Sequence, residues 1–136
     1  MEVADTSVWA RKSHPALRDW FASAIGAGEI AGCDMIALEL LYSARNPAEF
    51  SLIEDGLLGM PWIPPDAADW PRAREVYRAL GSRPGMAQRS VKHPDLLIAA
   101  AAERAGLTLV HYDADYEIIS EVTGQPVRWV AARGSL

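Results

Sequence analysis

Leu107-Thr108-Leu109-Val110-His111-Tyr112-Asp113-Ala114-Asp115 is the stretch whose reading sets the fold class. Leu107–His111 is a strongly apolar run of strand length, and two carboxylates follow it. Just upstream, His93-Pro94-Asp95 opens a helix expected to run to about Ala105. Its interior, Leu96 to Ala102, is apolar without interruption, so this helix presses on the core next to the strand it feeds. Helix, buried strand and polar turn in that order are the grammar of an α/β fold with a parallel sheet.

The same alternation continues in both directions. Met1–Ala4 reads as a first short strand and Asp5-Thr6-Ser7 as a turn. Ser13-His14-Pro15 starts a helix with Leu17, Trp20, Phe21, Ala24 and Ile25 on one face, ended by Gly26 and Gly28. An extended run at Glu29–Cys33 precedes a second helix from Asp34 to Arg45. Asn46-Pro47 separates it from a third helix carrying Phe50, Ile53, Leu57 and Leu58. Pro61-Trp62-Ile63-Pro64 reads as a brief edge element because of its prolines. The fourth helix, Asp69 to Leu80, places Ala73, Val76, Tyr77 and Leu80 on one side, and Gly81 to Lys92 is a polar loop. Beyond Asp115 a short helix and a last strand, Val127–Val130, complete the pattern.

At 136 residues the chain is expected to form one domain, residues 1–136. Half of its residues are hydrophobic and 23% are charged, an ordinary globular mix that excludes a disordered tail or a fibre. Thirteen basic against eighteen acidic side chains leave a net charge of −5. Any nucleic-acid contact must therefore be a local basic patch. The single cysteine, Cys33, excludes an internal disulfide framework and a cysteine-based zinc site, and fits a reducing compartment. No apolar run is long enough to span a bilayer, and Glu2, Asp5, Arg11 and Lys12 interrupt any signal-peptide core. A soluble, cytoplasmic protein without a membrane partner is the expectation.

The chemistry-bearing feature is a set of acids in apolar surroundings. Glu39 is the only charged residue from Met35 to Ala44. Its helical neighbours Met35, Ile36, Tyr42 and Ser43 offer no cation. That helix, apolar on most sides, is expected to be buried. Asp5 and Asp113 follow strands, and ligand sites in open α/β sheets lie beyond the carboxyl ends of strands. Asp95 lies in the first turn of a core-facing helix, and Asp115 accompanies Asp113. Each acid alone has an ordinary explanation as a turn, cap or margin residue. If the segments converge, like charges about 4 Å apart repel by on the order of 4 kcal/mol per pair at an effective dielectric near 20. Oxygen ligands then point to a hard divalent ion, Mg²⁺ or Mn²⁺.

Four segments also resemble a known family. Val3-Ala4-Asp5-Thr6-Ser7-Val8 is similar to the opening of PIN-domain proteins. Glu39-Leu40-Leu41-Tyr42-Ser43-Ala44-Arg45 resembles their second acidic helix, Asp95-Leu96-Leu97-Ile98-Ala99-Ala100-Ala101-Ala102 their third motif, and His111-Tyr112-Asp113-Ala114-Asp115-Tyr116 their last. Order, spacing and length resemble VapC-type toxins of bacterial toxin–antitoxin pairs. The resemblance implies a three-layer α/β/α fold around a short parallel sheet and a Mg²⁺-dependent endoribonuclease. It further implies a homodimer and a cognate antitoxin that blocks the site. Carried onto this chain, the acidic site is Asp5, Glu39, Asp95 and Asp113, with Asp115 as a variable fifth member. Tyr116 departs from the family, where Phe is frequent.

On these expectations Asp5 and Asp113, at strand ends, are direct metal ligands. Asp95 and Glu39 bind the ion or water around it, and Asp115 serves a second ion or the outer shell. Arg83, Arg89 and Lys92 precede Asp95 and are candidates for RNA phosphate contacts, with Arg11 and Lys12 in support. Trp62 and Trp70, near prolines, are candidates for a dimer or antitoxin surface. His14, His93 and His111 show no metal-ligand spacing. A phosphoacceptor receiver domain fits less well, because one acid stands at the first turn and Leu107–Tyr116 contains no lysine. The alternative is a catalytically silent PIN-like interaction module whose acids only hold structural hydrogen bonds.

Overall fold

The computed structural model describes Met1 to Leu136. Four short strands form one all-parallel sheet in the order β2-β1-β3-β4. They are β1 (Glu2–Ala4), β2 (Ile30–Ala31), β3 (Thr108–His111) and β4 (Val127–Trp129). Seven helices surround it: α1 (Thr6–Trp9), α2 (Arg18–Gly26), α3 (Asp34–Tyr42), α4 (Pro47–Leu57), α5 (Asp69–Gly81), α6 (His93–Ala105) and α7 (Asp115–Thr123). The architecture is the expected three-layer α/β/α sandwich.

Strand periodicity explains the layers. Successive side chains point to opposite faces, so each strand feeds two cores. Val3, Ala31 and Leu109 join Ile36, Val76, Leu80, Ile98 and Ile119 in a large core under α3, α5, α6 and α7. Ala4, Ile30 and Val110 join Val8, Phe21 and Ala24 in a smaller core under α1 and α2. The register Val3↔Leu109 and Ala4↔Val110 keeps the two sets in line across the sheet. Glu2 and Arg128, on the strands flanking β3, lock the sheet with two contacts of 2.6 Å.

Several elements differ from the sequence reading. Asp5-Thr6-Ser7 is not a plain turn: Asp5 caps a four-residue helix, α1. The helix expected from Ser13 begins at Arg18, because the His14 ring accepts from the Ala16 N–H and holds a turn there. The Pro61–Pro64 segment contributes only one bridge, Trp62 to Gly32. Its prolines have no N–H to extend the ladder. Gly32 is needed there, since a Cβ would sit 2.6 Å from the Trp62 ring. The polar loop contains a 3₁₀ turn at Ala87–Ser90.

The helix α3 is the largest departure. Only Ile36 is fully buried, while Leu38 is 62% and Tyr42 92% exposed. It packs on α1, α4 and α6, so one face meets the core and the rest stays open.

Candidate metal centre

In a parallel sheet of this order the chain leaves β1 and β3 toward opposite sides, and a crevice opens at their carboxyl ends. Asp5 is the first residue past β1 and is 2% exposed. Its backbone N–H donates to the Val110 carbonyl at 3.0 Å, and its Oδ2 accepts from the Ser7 N–H at 2.9 Å. Ser7 in turn accepts from the Tyr112 N–H at 2.9 Å, tying the two strand ends together. Asp5 is thus held by the backbone on both sides of the crevice.

Asp113 lies two residues past β3. Its Oδ1 accepts from the Asp115 N–H at 2.9 Å and its own N–H donates to His111 Nδ1 at 3.2 Å. Asp95 enters from the first turn of α6, where Pro94 starts the helix and the helix dipole favours a carboxylate. Asp95, Asp113 and Asp115 each offer one oxygen within 4.8 Å of the others. Asp95 Oδ2 is fully buried and has no hydrogen-bond partner.

Tyr116 connects this trio to Asp5. Its hydroxyl lies 2.5 Å from Asp5 Oδ1 and 3.2 Å from Asp95 Oδ1. Glu39 reaches the crevice from α3, half-buried, and accepts from Thr6 Oγ1 at 3.3 Å. Asp5, Glu39, Asp95 and Asp113 all line one groove of about 860 Å³. The structure therefore brings together all five acids singled out from the sequence, with Asp115 beside Asp113 just behind the groove lining.

The electrostatics are those of crowded acids. Burial, and then the charge of Asp5, push the Asp95 carboxyl up to about 7. Burial and Asp5 also raise Glu39. Burial alone would raise Asp113, yet the Asp115 N–H and the Lys92 ammonium outweigh it and hold Asp113 below the ordinary carboxylate range. Burial keeps the Tyr116 phenol protonated far above its ordinary value.

The basic residues are arranged differently from the sequence expectation. Lys92 Nζ sits on the carboxylates, 2.9 Å from Asp113, 3.4 Å from Asp115 and 3.5 Å from Asp95. Arg83 is engaged by Glu121. Arg11 donates to the Ser7 carbonyl at 2.9 Å and stacks over Tyr112, while Lys12 lines the groove. Trp70 is 65% exposed, whereas the Trp62 indole N–H donates to Asp34.

Tyr116 and His111, which the sequence marks with no role among the acids, are hydrogen-bonded to them in the structure. A tyrosine on the core face of a short helix carries a polar end that needs a buried partner. That requirement was the available signal for Tyr116.

The PIN domain family model matches residues 3–122. The chain belongs to the PIN domain family. Among its relatives, ribonuclease VapC18 of Mycobacterium tuberculosis is 40% identical over 97% of this PIN domain chain and 96% of its own length. Ribonuclease VapC51 of the same organism is 42% identical, over 98% and 96%. Membership of the VapC branch follows from these relatives. The PIN domain also superposes on a chain of the DNA-bound VapBC2 structure from Rickettsia felis, with a TM-score of 0.71, 16% identity and coverage of 96% and 98%. A chain of DNA-bound VapBC from Salmonella typhimurium gives 0.70, with 20% identity over 95% and 98%. These two likenesses speak for the fold.

Proposed function

We propose that this PIN domain, residues 1–136 acting as one unit, is a Mg²⁺-dependent endoribonuclease and the toxin of a toxin–antitoxin pair. The observation that carries the reading is the meeting of Asp5, Glu39, Asp95 and Asp113, from four separate segments, in one groove. The naming of the relatives as ribonucleases supports the substrate class. A structural neighbour described as belonging to the VapBC family of toxin–antitoxin systems supports an antitoxin partner.

The residues fit a hard divalent ion. The donors are all oxygens, and one of them, Asp95 Oδ2, is buried without a hydrogen bond, with the Lys92 ammonium 3.5 Å away as its one cation. Asp5, Asp95 and Asp113 would hold the ion, with Glu39 and Asp115 completing its surroundings. When bound, Mg²⁺ supplies Lewis acidity that makes water a competent nucleophile and offsets charge on the phosphate; Mn²⁺ serves the same chemistry. The backbone bonds to Asp5 and Asp113 fix the two strand-end carboxylates before substrate arrives. Lys12, which lines the groove without an ion-pair partner, is the cation available to the RNA backbone, whereas Lys92 is held on Asp113 and Asp115. The apolar wall of the groove, with Phe21, Ile25, Ile53 and Leu57, suits a segment of the antitoxin that excludes RNA. Exposed Leu52, Leu58 and Trp70 provide surface for a homodimer or the antitoxin. We place its action in the cytoplasm, a reducing compartment that suits the single free cysteine, Cys33. No helix is long and apolar enough to cross a membrane.

RNA cleavage should require Mg²⁺ or Mn²⁺, stop with EDTA and leave 5′-phosphate and 3′-hydroxyl ends. Cleavage that survives EDTA, or ends that are 2′,3′-cyclic phosphates, would overturn the reading.

The raised Asp95 carboxyl adds a pH dependence. An ion binds the ionised form, so apparent Mg²⁺ affinity should fall about tenfold from pH 8 to pH 6. Without metal the sign reverses. Asp95 takes up its proton more readily folded than unfolded, so its contribution lowers stability as pH rises from about 4, the unfolded value, to about 7. Melting curves with and without Mg²⁺ should thus separate more at pH 8 than at pH 6. An equal separation would count against Asp95 as a metal-holding group.

A further inference from the structure

Two carboxylates that the metal reading assigns to one ion come from distant parts of the chain, Asp5 from just past β1 and Asp95 from the first turn of α6. The only side chain hydrogen-bonded to both is Tyr116, at 2.5 Å and 3.2 Å. Its ring is completely buried in the large core, which also contains Leu96 and Ile119, and lies tilted against His111 at 5.5 Å between centroids. The hydroxyl position is thereby fixed by the packing of α7 and not by the acids themselves.

We infer that Tyr116 is a positioning residue, whose hydroxyl clamps Asp5 Oδ1 and Asp95 Oδ1 so that the two carboxylates are set for a divalent ion before it binds. The inference rests on the metal reading given above. A phenol O–H has one proton for two acceptors. It donates to Asp5 at the shorter distance and keeps Asp95 Oδ1 within reach of the same proton. On each carboxylate that leaves the second oxygen outside the clamp. Asp5 Oδ2 is held by the Ser7 N–H, and Asp95 Oδ2 is buried without a hydrogen bond, 3.5 Å from the Lys92 ammonium. Removing the hydroxyl takes away no ligand and no ring packing. It frees two like-charged groups to turn away from each other, so the ion must then gather them itself. Outer partners of metal ligands commonly contribute about 10–100-fold in metal affinity.

The test compares wild type and Tyr116→Phe by direct Mn²⁺ binding, followed as loss of the free-ion electron paramagnetic resonance signal in the absence of RNA. The expected result is Mn²⁺ binding about tenfold weaker in Y116F. In cleavage assays the half-saturating Mn²⁺ concentration should rise in parallel, with KM for RNA unchanged and kcat recovering at high Mn²⁺. A purely structural hydroxyl would lower the metal-free melting temperature and leave the Mn²⁺ isotherm in place. Binding within twofold of wild type, or tighter, overturns the inference while the metal reading stands. Wild type that takes up no Mn²⁺ overturns both. Should Y116F not fold, 3-fluorotyrosine placed at position 116 keeps the hydroxyl and reports on it. Its ¹⁹F resonance is expected to shift on Mg²⁺ saturation, and a resonance that stays put overturns the clamp.

Discussion

Asn at position 95 is expected to cut RNA cleavage by well over about 100-fold, the upper range for a mere supporting group, and to raise the melting temperature of the metal-free protein. The two effects share one cause. Asp95 has a buried oxygen without a hydrogen-bond partner and acidic neighbours at Asp5, Asp113 and Asp115. Its charge is unfavourable for folding and useful only when a cation is present. The amide is nearly isosteric, so packing around α6 is kept. It removes one like charge and brings an N–H₂ that can donate toward the remaining acids. A gain of about 1–2 kcal/mol is in the range of substitutions that relieve functional strain. For a chain of this length that is roughly 3–8 °C. Single-turnover cleavage and calorimetry of the same preparation check both halves. Asp95→Asn that cleaves at the wild-type rate would remove Asp95 from the site. Asp95→Asn that melts lower would show that the carboxylate is structural, as the silent interaction-module reading holds.

That trade-off explains which parts of the site were legible in the sequence. Glu39 and Asp95 stand out as acids on apolar helices, Asp5, Asp113 and Asp115 as acids past strand ends, and the resemblance to the PIN family joins them into one site. The parallel sheet was legible from Leu107–His111 and Met1–Ala4, since buried strands read as continuous apolar runs. Partners that look like core residues were hidden. Tyr116 has the spacing of a packing residue, and its hydroxyl acquires meaning only when β1 and α6 are seen to meet over it. In the sequence Lys92 has the place of a phosphate-facing loop cation, yet it lies on Asp113 because the loop folds back over the carboxyl end of β3. Composition likewise misjudged α3. Its apolar residues face both the core and the open surface, and no local rule separates a buried apolar face from one kept for a partner.

His111 shows how far the site depends on the sheet beneath it. The ring is fully buried at the end of β3, 4.9 Å from the Trp129 ring centroid. Its Nδ1 accepts from the Asp113 N–H at 3.2 Å, so the ring proton belongs on Nε2, which lies 3.0 Å from Glu117 Oε1 and donates to it. Replacing His111 with Ala leaves a cavity beside Tyr116 and strips the Asp113 N–H of its acceptor. A loss of about 3 kcal/mol is expected, or roughly 10 °C in melting temperature. Burial depresses the His111 pKa, so the unfolded chain takes up the proton first as pH falls. The stability that the ring contributes is present above the unfolded value of about 6.5 and is lost as pH falls through the folded one. The gap in stability between wild type and H111A should therefore narrow from pH 7.5 to pH 5. Urea unfolding at both pH values measures it. A gap that widened on acidification would mean that the imidazolium is the form favoured in the fold, with Glu117 and not Asp113 as its controlling partner.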